Sequence, residues 1–173
     1  MTTQSKKPVR STIPPIQQGH HSPEATPSAG LLRDTIVLTR KGEMAVQDIQ
    51  VGDHVITRGA GMVQVQNISR QRLLRRAISI AAGSLGDTRP ESDIVLPADQ
   101  QVFVRDWRAQ ALFGQDQALV PAASLVDGEF IIDQGLQVLE LYSLQLEQTH
   151  VIYAGGLEVA GALHANMRLR PAA

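Results

Sequence analysis

From Thr35 onward, apolar residues fall at every second position or in runs of four or five, separated by short clusters of Gly, Pro, Asp and Lys. That is strand periodicity punctuated by turn signals. The stretch "DTIVLTRKGEMAVQDIQVGDHVIT", Asp34 to Thr57, reads as two short strands and a charged turn, with Lys41-Gly42 ending the first apolar run. In "HVITRGAGMVQVQNIS" two alternating segments flank Gly-Ala-Gly, with Val63 and Val65 on one face and Gln64 and Gln66 on the other, a hairpin signal. "AISIAAGSLGD" predicts a further strand broken by Gly, and "DIVLPADQQVFV" predicts two around Pro97. "LQVLELYSLQLEQTHVIYAGGLEVAG" predicts a long strand, a turn and a final strand. In the long strand Leu139 and Leu141 share one face while Tyr142, Leu144 and Leu146 share the other, which predicts a bulge or strong twist near Tyr142. Only "DWRAQALFG" and "VPAASLV" have the pattern of a helical turn or two. Many short strands at close spacing define an all-β domain of folded-over antiparallel architecture.

The pattern vanishes at both ends. Residues 1–29 are rich in Pro, Ser, Thr and Gln and poor in apolar side chains, so they predict a disordered N-terminal arm that cannot offset its own ordering entropy. Residues 30–163 form the expected β-domain and residues 164–173 a flexible C-terminal tail. Within the arm, His20 and His21 lack further ligands at fixed spacing and read as a solvated pair, so no metal and no other cofactor is expected. The 173 residues, 43% of them hydrophobic, are enough for one domain with a real core. With 16 Lys and Arg against 17 Asp and Glu, the net charge of -1 gives no field to gather nucleic acid or an anionic membrane. The count of Cys is 0, which removes disulfides and thiol nucleophiles. No apolar run approaches the ~20 residues that span a bilayer, and the basic start leads into Pro and polar residues instead of an apolar signal core. A cytoplasmic location is expected, with secretion by a non-Sec route as the alternative.

The block "TIVLTRKGEMAVQDIQVGDHV" has the form T-x-V-x-T-x-x-G-x-x-x-V-x-D-I-x-V-G-D-x-V. It resembles the first block of the Hint domain shared by hedgehog C-terminal regions and inteins, in its bacterial branch. "PADQQVFVRDWRAQALFG", "ALVPAASLVDGEFI" and "HVIYAGGLEVAG" are similar to the later blocks of that family, in the same order, over roughly Gly30 to Gly161. The resemblance implies a Hint-type fold and, in active members, self-splicing or self-cleavage. That chemistry needs a nucleophile at the first residue of the domain, a histidine to activate or protonate the scissile peptide, and donors for the oxyanion.

Aligned on this block, the family's nucleophile falls at Gly30, which has no side chain. The activating histidine falls at Gln100, which donates a hydrogen bond but cannot shuttle a proton near neutral pH. The last-block histidine falls at Thr149, or at His150 if the register slips by one. The resemblance therefore implies a degenerate Hint domain that keeps the fold, lacks autoprocessing and serves as a binding or assembly module. The alternatives are residual self-cleavage through Ser28 or an acidic residue, and a secreted or surface-associated module. His164-Ala165-Asn166 lacks a Cys, Ser or Thr directly after the Asn and reads as a polar tail.

Outside these positions, Asp53 reads as a turn-stabilising carboxylate. Arg105, Asp106, Trp107 and Arg108 are the candidate surface for a protein partner, because Trp and Arg dominate binding hot spots. The competing and favoured reading places a lone Trp over a core edge. "RQRLLRRA" carries Arg70, Arg72, Arg75 and Arg76 without interleaved aromatics and reads as a solvated basic loop, not a nucleic-acid platform. No feature fixes an oligomeric state.

Overall fold

Short alternating strands are stable only when neighbours take up their backbone groups on both sides, and the chain achieves this by folding one sheet over on itself. The computed structural model describes residues 30–163, so the expected arm and tail lie outside the described residues. The strands are β1 (Leu31–Leu32), β2 (Ile36–Thr39), β3 (Gly42–Ala45), β4 (His54–Thr57), β5 (Gly61–Ile80), β6 (Ile94–Pro97) and β7 (Gln101–Val104). After helix α1 (Trp107–Phe113) come β8 (Ala118–Pro121), β9 (Ile131–Leu146), β10 (Val151–Ala154), β11 (Leu157–Ala160) and β12 (Ala162–Leu163). The path runs β1-β9-β5-β4-β2-β10-β11-β7-β8, with β3 on β2, β6 on β5, and β12 parallel to β9.

The hydrophobic alternation sets which side of each strand is dry. Val37 and Thr39 of β2, Val55 and Thr57 of β4, and Ile152 and Ala154 of β10 all point into one core with Val65, Ile78, Leu96, Val102 and Leu146. The first hairpin is closed by Thr39, whose hydroxyl donates to the Gly42 carbonyl at 2.8 Å and accepts from the Lys41 amide at 3.1 Å. The hairpin at Gly-Ala-Gly forms as expected, with β4 antiparallel to β5 from His54 opposite Gln64 to Thr57 opposite Gly61. Trp107–Phe113 is helical as expected, capped by the Asp106 carboxylate on the Arg108 amide at 2.9 Å and ended by left-handed Gly114.

Several elements differ from the sequence expectation. "RQRLLRRA" is not a loop: β5 runs unbroken for 20 residues through all four arginines, and "AISI" is its last part. The segment stays exposed yet ordered because β9 pairs along its whole length, from Val65 opposite Leu146 to Ile80 opposite Ile131. Cross-strand charges support the pairing: Arg70 meets Glu140 at 2.6 Å, and Arg76 pairs with Asp133.

There is no irregularity at Tyr142. The pairing slips at Val65/Asn67 and at Arg76/Ile78 instead. The opposed apolar faces of β9 have another cause. Tyr142, Leu144 and Leu146 enter the main core, while Leu139 and Leu141 enter a second small cluster with Ala77, Leu32 and Val95. Both faces are covered, so no twist is needed to reconcile them.

The final segment is a hairpin, not one strand. Gly155 and Gly156, at φ +60 and +73, make the two-residue turn between β10 and β11. The turn is also tight in space: a Cβ on Gly155 would lie 2.1 Å from Ile94 Cδ1 and one on Gly156 2.9 Å from the Glu91 amide nitrogen.

Candidate functional site

The two residues singled out at the start of the domain and seventy positions later meet directly. Gln100 sits in the turn between β6 and β7, held by its amide to the Pro97 carbonyl at 3.0 Å and by its carbonyl to the Ala122 amide at 2.9 Å. That turn aims its side chain inward, where it is 1% exposed. Its Oε1 accepts from the Gly30 amide at 2.9 Å, and its Nε2 donates to the carbonyls of Ala160 at 3.0 Å and Gln101 at 3.1 Å. One neutral amide thus ties the first described residue to the ends of β7 and β11.

The third expected position lies beside these two through the backbone. The His150 carbonyl accepts from the Gly161 amide at 2.8 Å, next to Ala160. Gly30, Gln100, Ala160 and Gly161 line a cavity of about 10 Å³ with Tyr142 and Ser143, room for about one water. Thr149 is exposed in the connection before β10. Ser28, the proposed substitute nucleophile, lies outside the described residues, as do His20, His21 and His164 to Asn166. At Gly30 a Cβ would stand 3.0 Å from Leu141 Cβ, so even the first atom of a side chain crowds β9.

Asp53 does the structural work expected of it. Lys41 Nζ donates to its Oδ1 at 2.6 Å and the Gln50 amide to Oδ2 at 2.9 Å, and the lysine first, then the amide, hold its carboxyl below the ordinary value. The partner candidate is placed differently from the favoured expectation. Trp107 is 68% exposed and does not cover the core; the Arg108 guanidinium lies over its ring at 5.0 Å and pairs with Asp106 at 2.6 Å. A seven-residue helix can bury only a narrow stripe, and here Ala109 alone fills it.

Sequence reasoning missed Glu158. Its side chain is 3% exposed, with Oε1 at 3.2 Å from Arg58 Nη1 and 3.6 Å from Arg105 Nη2, and Oε2 at 3.6 Å from Arg89 Nη1. Arg58 also stacks over Phe103 at 4.6 Å. A carboxylate inside the otherwise apolar "LEVA" was the available signal, since β11 is buried at all four positions. Among the described residues no group of three His, Cys, Asp or Glu side chains is gathered so as to hold a metal ion. Nor is any described helix long and apolar enough to cross a membrane.

An antiparallel sheet folded over so that the chain start, the turn before β7 and the end of β11 share one small cavity defines an intein-like domain. The profile described as Hint domain matches residues 29–165, and the chain belongs to that family. Solved structures agree in fold. An intein-like domain from Clostridium thermocellum superposes with a TM-score of 0.54 at 16% identity, covering 78% of this chain and 98% of that one. The gp41-1 intein gives 0.51 at 16% identity, covering 75% and 96%. A DnaB intein from Synechocystis gives 0.53 at 9% identity, covering 78% and 99%. No curated protein matches the chain.

Proposed function

We propose that this Hint domain has lost self-cleavage and serves as a binding or assembly module. The observation that carries the reading is the polarity of the contact between Gln100 and Gly30. In self-cleavage before residue 30, the Gly30 nitrogen is the leaving group and must receive a proton. Here the group facing it is an acceptor: the Gly30 amide donates a hydrogen bond to Gln100 Oε1. An amide side chain has no proton to give near neutral pH, so general acid catalysis, typically ~10²–10⁴-fold, is missing. Gly30 itself supplies no nucleophile, and Leu141 Cβ crowds the place where one would begin.

The surface offered to a partner is the exposed Trp107 with Arg108 stacked on it, residue types that anchor interfaces. The test is intact mass of the full chain over a day in neutral buffer, alone and with hydroxylamine or a strong thiol. Full mass throughout is expected. Fragments mapping to the bond before Ser28 or before Gly30 would overturn the loss of chemistry. Recovery of a discrete protein from the source cell by the full chain, abolished by Trp107→Ala at unchanged melting temperature, tests the binding role.

A further inference from the structure

A groove of about 610 Å³, separate from the small cavity at Gln100, runs between the loop after β1, strand β3 and the 87–95 segment. Its floor is apolar, made by Leu32, Ile36, Val95 and Leu157, and its rim is acidic, made by Asp34, Glu43, Asp87, Glu91 and Asp93. Two bases line it, Arg33 and Arg89, and both already lean on acids: Arg33 on Asp34 at 4.0 Å, Arg89 on Glu158 at 3.6 Å. Five carboxylates against two guanidiniums over an apolar floor make a seat for an extended segment that carries both cations and aliphatic side chains.

The chain carries such a segment on its own N-terminal side. "KKPVRSTIPPI", Lys6 to Ile16, sets Lys6, Lys7 and Arg10 among Val9, Ile13, Ile16 and three prolines. The prolines favour an extended, hydrogen-bond-free backbone that loses little entropy on lying in a groove. Residues 1–29 contain three basic residues and one acid, Glu24, so the arm carries the charge complementary to the rim. It joins the domain at Gly30, two residues before Leu32 on the groove floor. The roughly 15 intervening residues can reach about 50 Å, and a tether of that kind holds the segment at about millimolar effective concentration.

We propose that Lys6 to Ile16 docks in this acidic groove of its own chain, an intramolecular occupant that an external basic peptide would have to displace. The arm has too few apolar residues to form a core of its own, and the groove supplies the missing apolar surface.

The experiment is a set of amide spectra of the full chain at low salt, following Leu32, Val95 and Leu157. In Lys6→Glu, Lys7→Glu, Arg10→Glu combined, the groove amides are expected to move toward positions that the wild-type chain reaches only at high salt. Glu43→Lys with Glu91→Lys, two exposed rim residues, is expected to do the same. Combining all five changes restores opposite charges and is expected to return the amides toward their wild-type positions. Groove amides indifferent to the arm substitutions overturn the proposal. So do changes that scale with protein concentration, which would make the occupant a second copy, and groove amides moved only by an added basic peptide, which would make it an external partner.

Discussion

Two buried polar groups stand on the same sheet and are solved by opposite means. Gln100 is neutral and its amide makes three hydrogen bonds of 2.9 to 3.1 Å to backbone groups. Glu158, two residues before the Ala160 that Gln100 binds, is charged and faces three guanidiniums, only one of them within hydrogen-bonding distance. Its Oε2 and the Nε of Arg89 have no hydrogen-bond partner. A neutral amide is cheap to bury and loses little if its geometry is good, whereas a buried carboxylate depends on the surrounding cations to offset its desolvation. The first centre is held by direction and the second by charge balance.

That contrast can be broken most sharply at Glu158. Glu158→Ala leaves Arg58, Arg89 and Arg105 facing one another, and because these guanidiniums keep some solvent we expect a loss near the low end for a broken buried pair, about 3 kcal/mol, by urea unfolding. Glu158→Gln keeps the shape and should destabilise almost as much if charge balance is what matters. A Gln variant as stable as wild type would put the second centre in the same category as the first.

Gln100→Leu comes next. It leaves the Gly30 amide and the Ala160 carbonyl without their partner, for an expected loss of about 2 kcal/mol, independent of pH. Hydrogen exchange at Gly30 should accelerate by far more than exchange within β2. Equal acceleration in both would mean that Gln100 only fills space.

The smallest expected effect calibrates both centres against a carboxylate at the surface. Burial pushes the Asp127 carboxyl up, but amide hydrogen bonds from Ile131, Glu129 and Phe130 outweigh it and bring it below the ordinary 3.8. A depressed folded-state value means the unfolded chain takes up its proton first as pH falls. The stabilisation is therefore complete above about 3.8 and is lost as pH drops through the lower folded-state value. Asp127→Asn should flatten the acid limb of a stability-versus-pH curve, while Gln100→Leu shifts the whole curve down without tilting it.

How much of this was legible in the sequence follows from which constraints are local. Turns were readable because they rest on single residues: Gly42 in the first hairpin and Asp53 in its turn do what their types dictate. The meeting of Gly30 with Gln100 was legible only through the ordered blocks of the family, since no local rule joins residues so far apart. Gly155-Gly156 carried a hairpin signal that the reading of a single final strand passed over. Trp107 and Glu158 were misjudged or missed for one shared reason. Burial is decided by what packs against an element: α1 is too short to be covered, and β11 is covered on both faces.

The pairing of β5 with β9 also sets the order in which the chain can fold. Its nearest rung joins Ile80 to Ile131 and its farthest joins Val65 to Leu146, so the first contact must close a loop of roughly 50 residues before any rung is gained. Once Ile80 and Ile131 are in place, each later rung adds only a residue on either side and the ribbon can zip toward Leu146. The search for that first contact, not the zipping, is then the slow event, which places refolding in the millisecond-to-second range of sheet proteins rich in distant pairings. Because β1, β4, β6 and β12 all hang on these two strands, few of the other pairings can persist until the ribbon has closed.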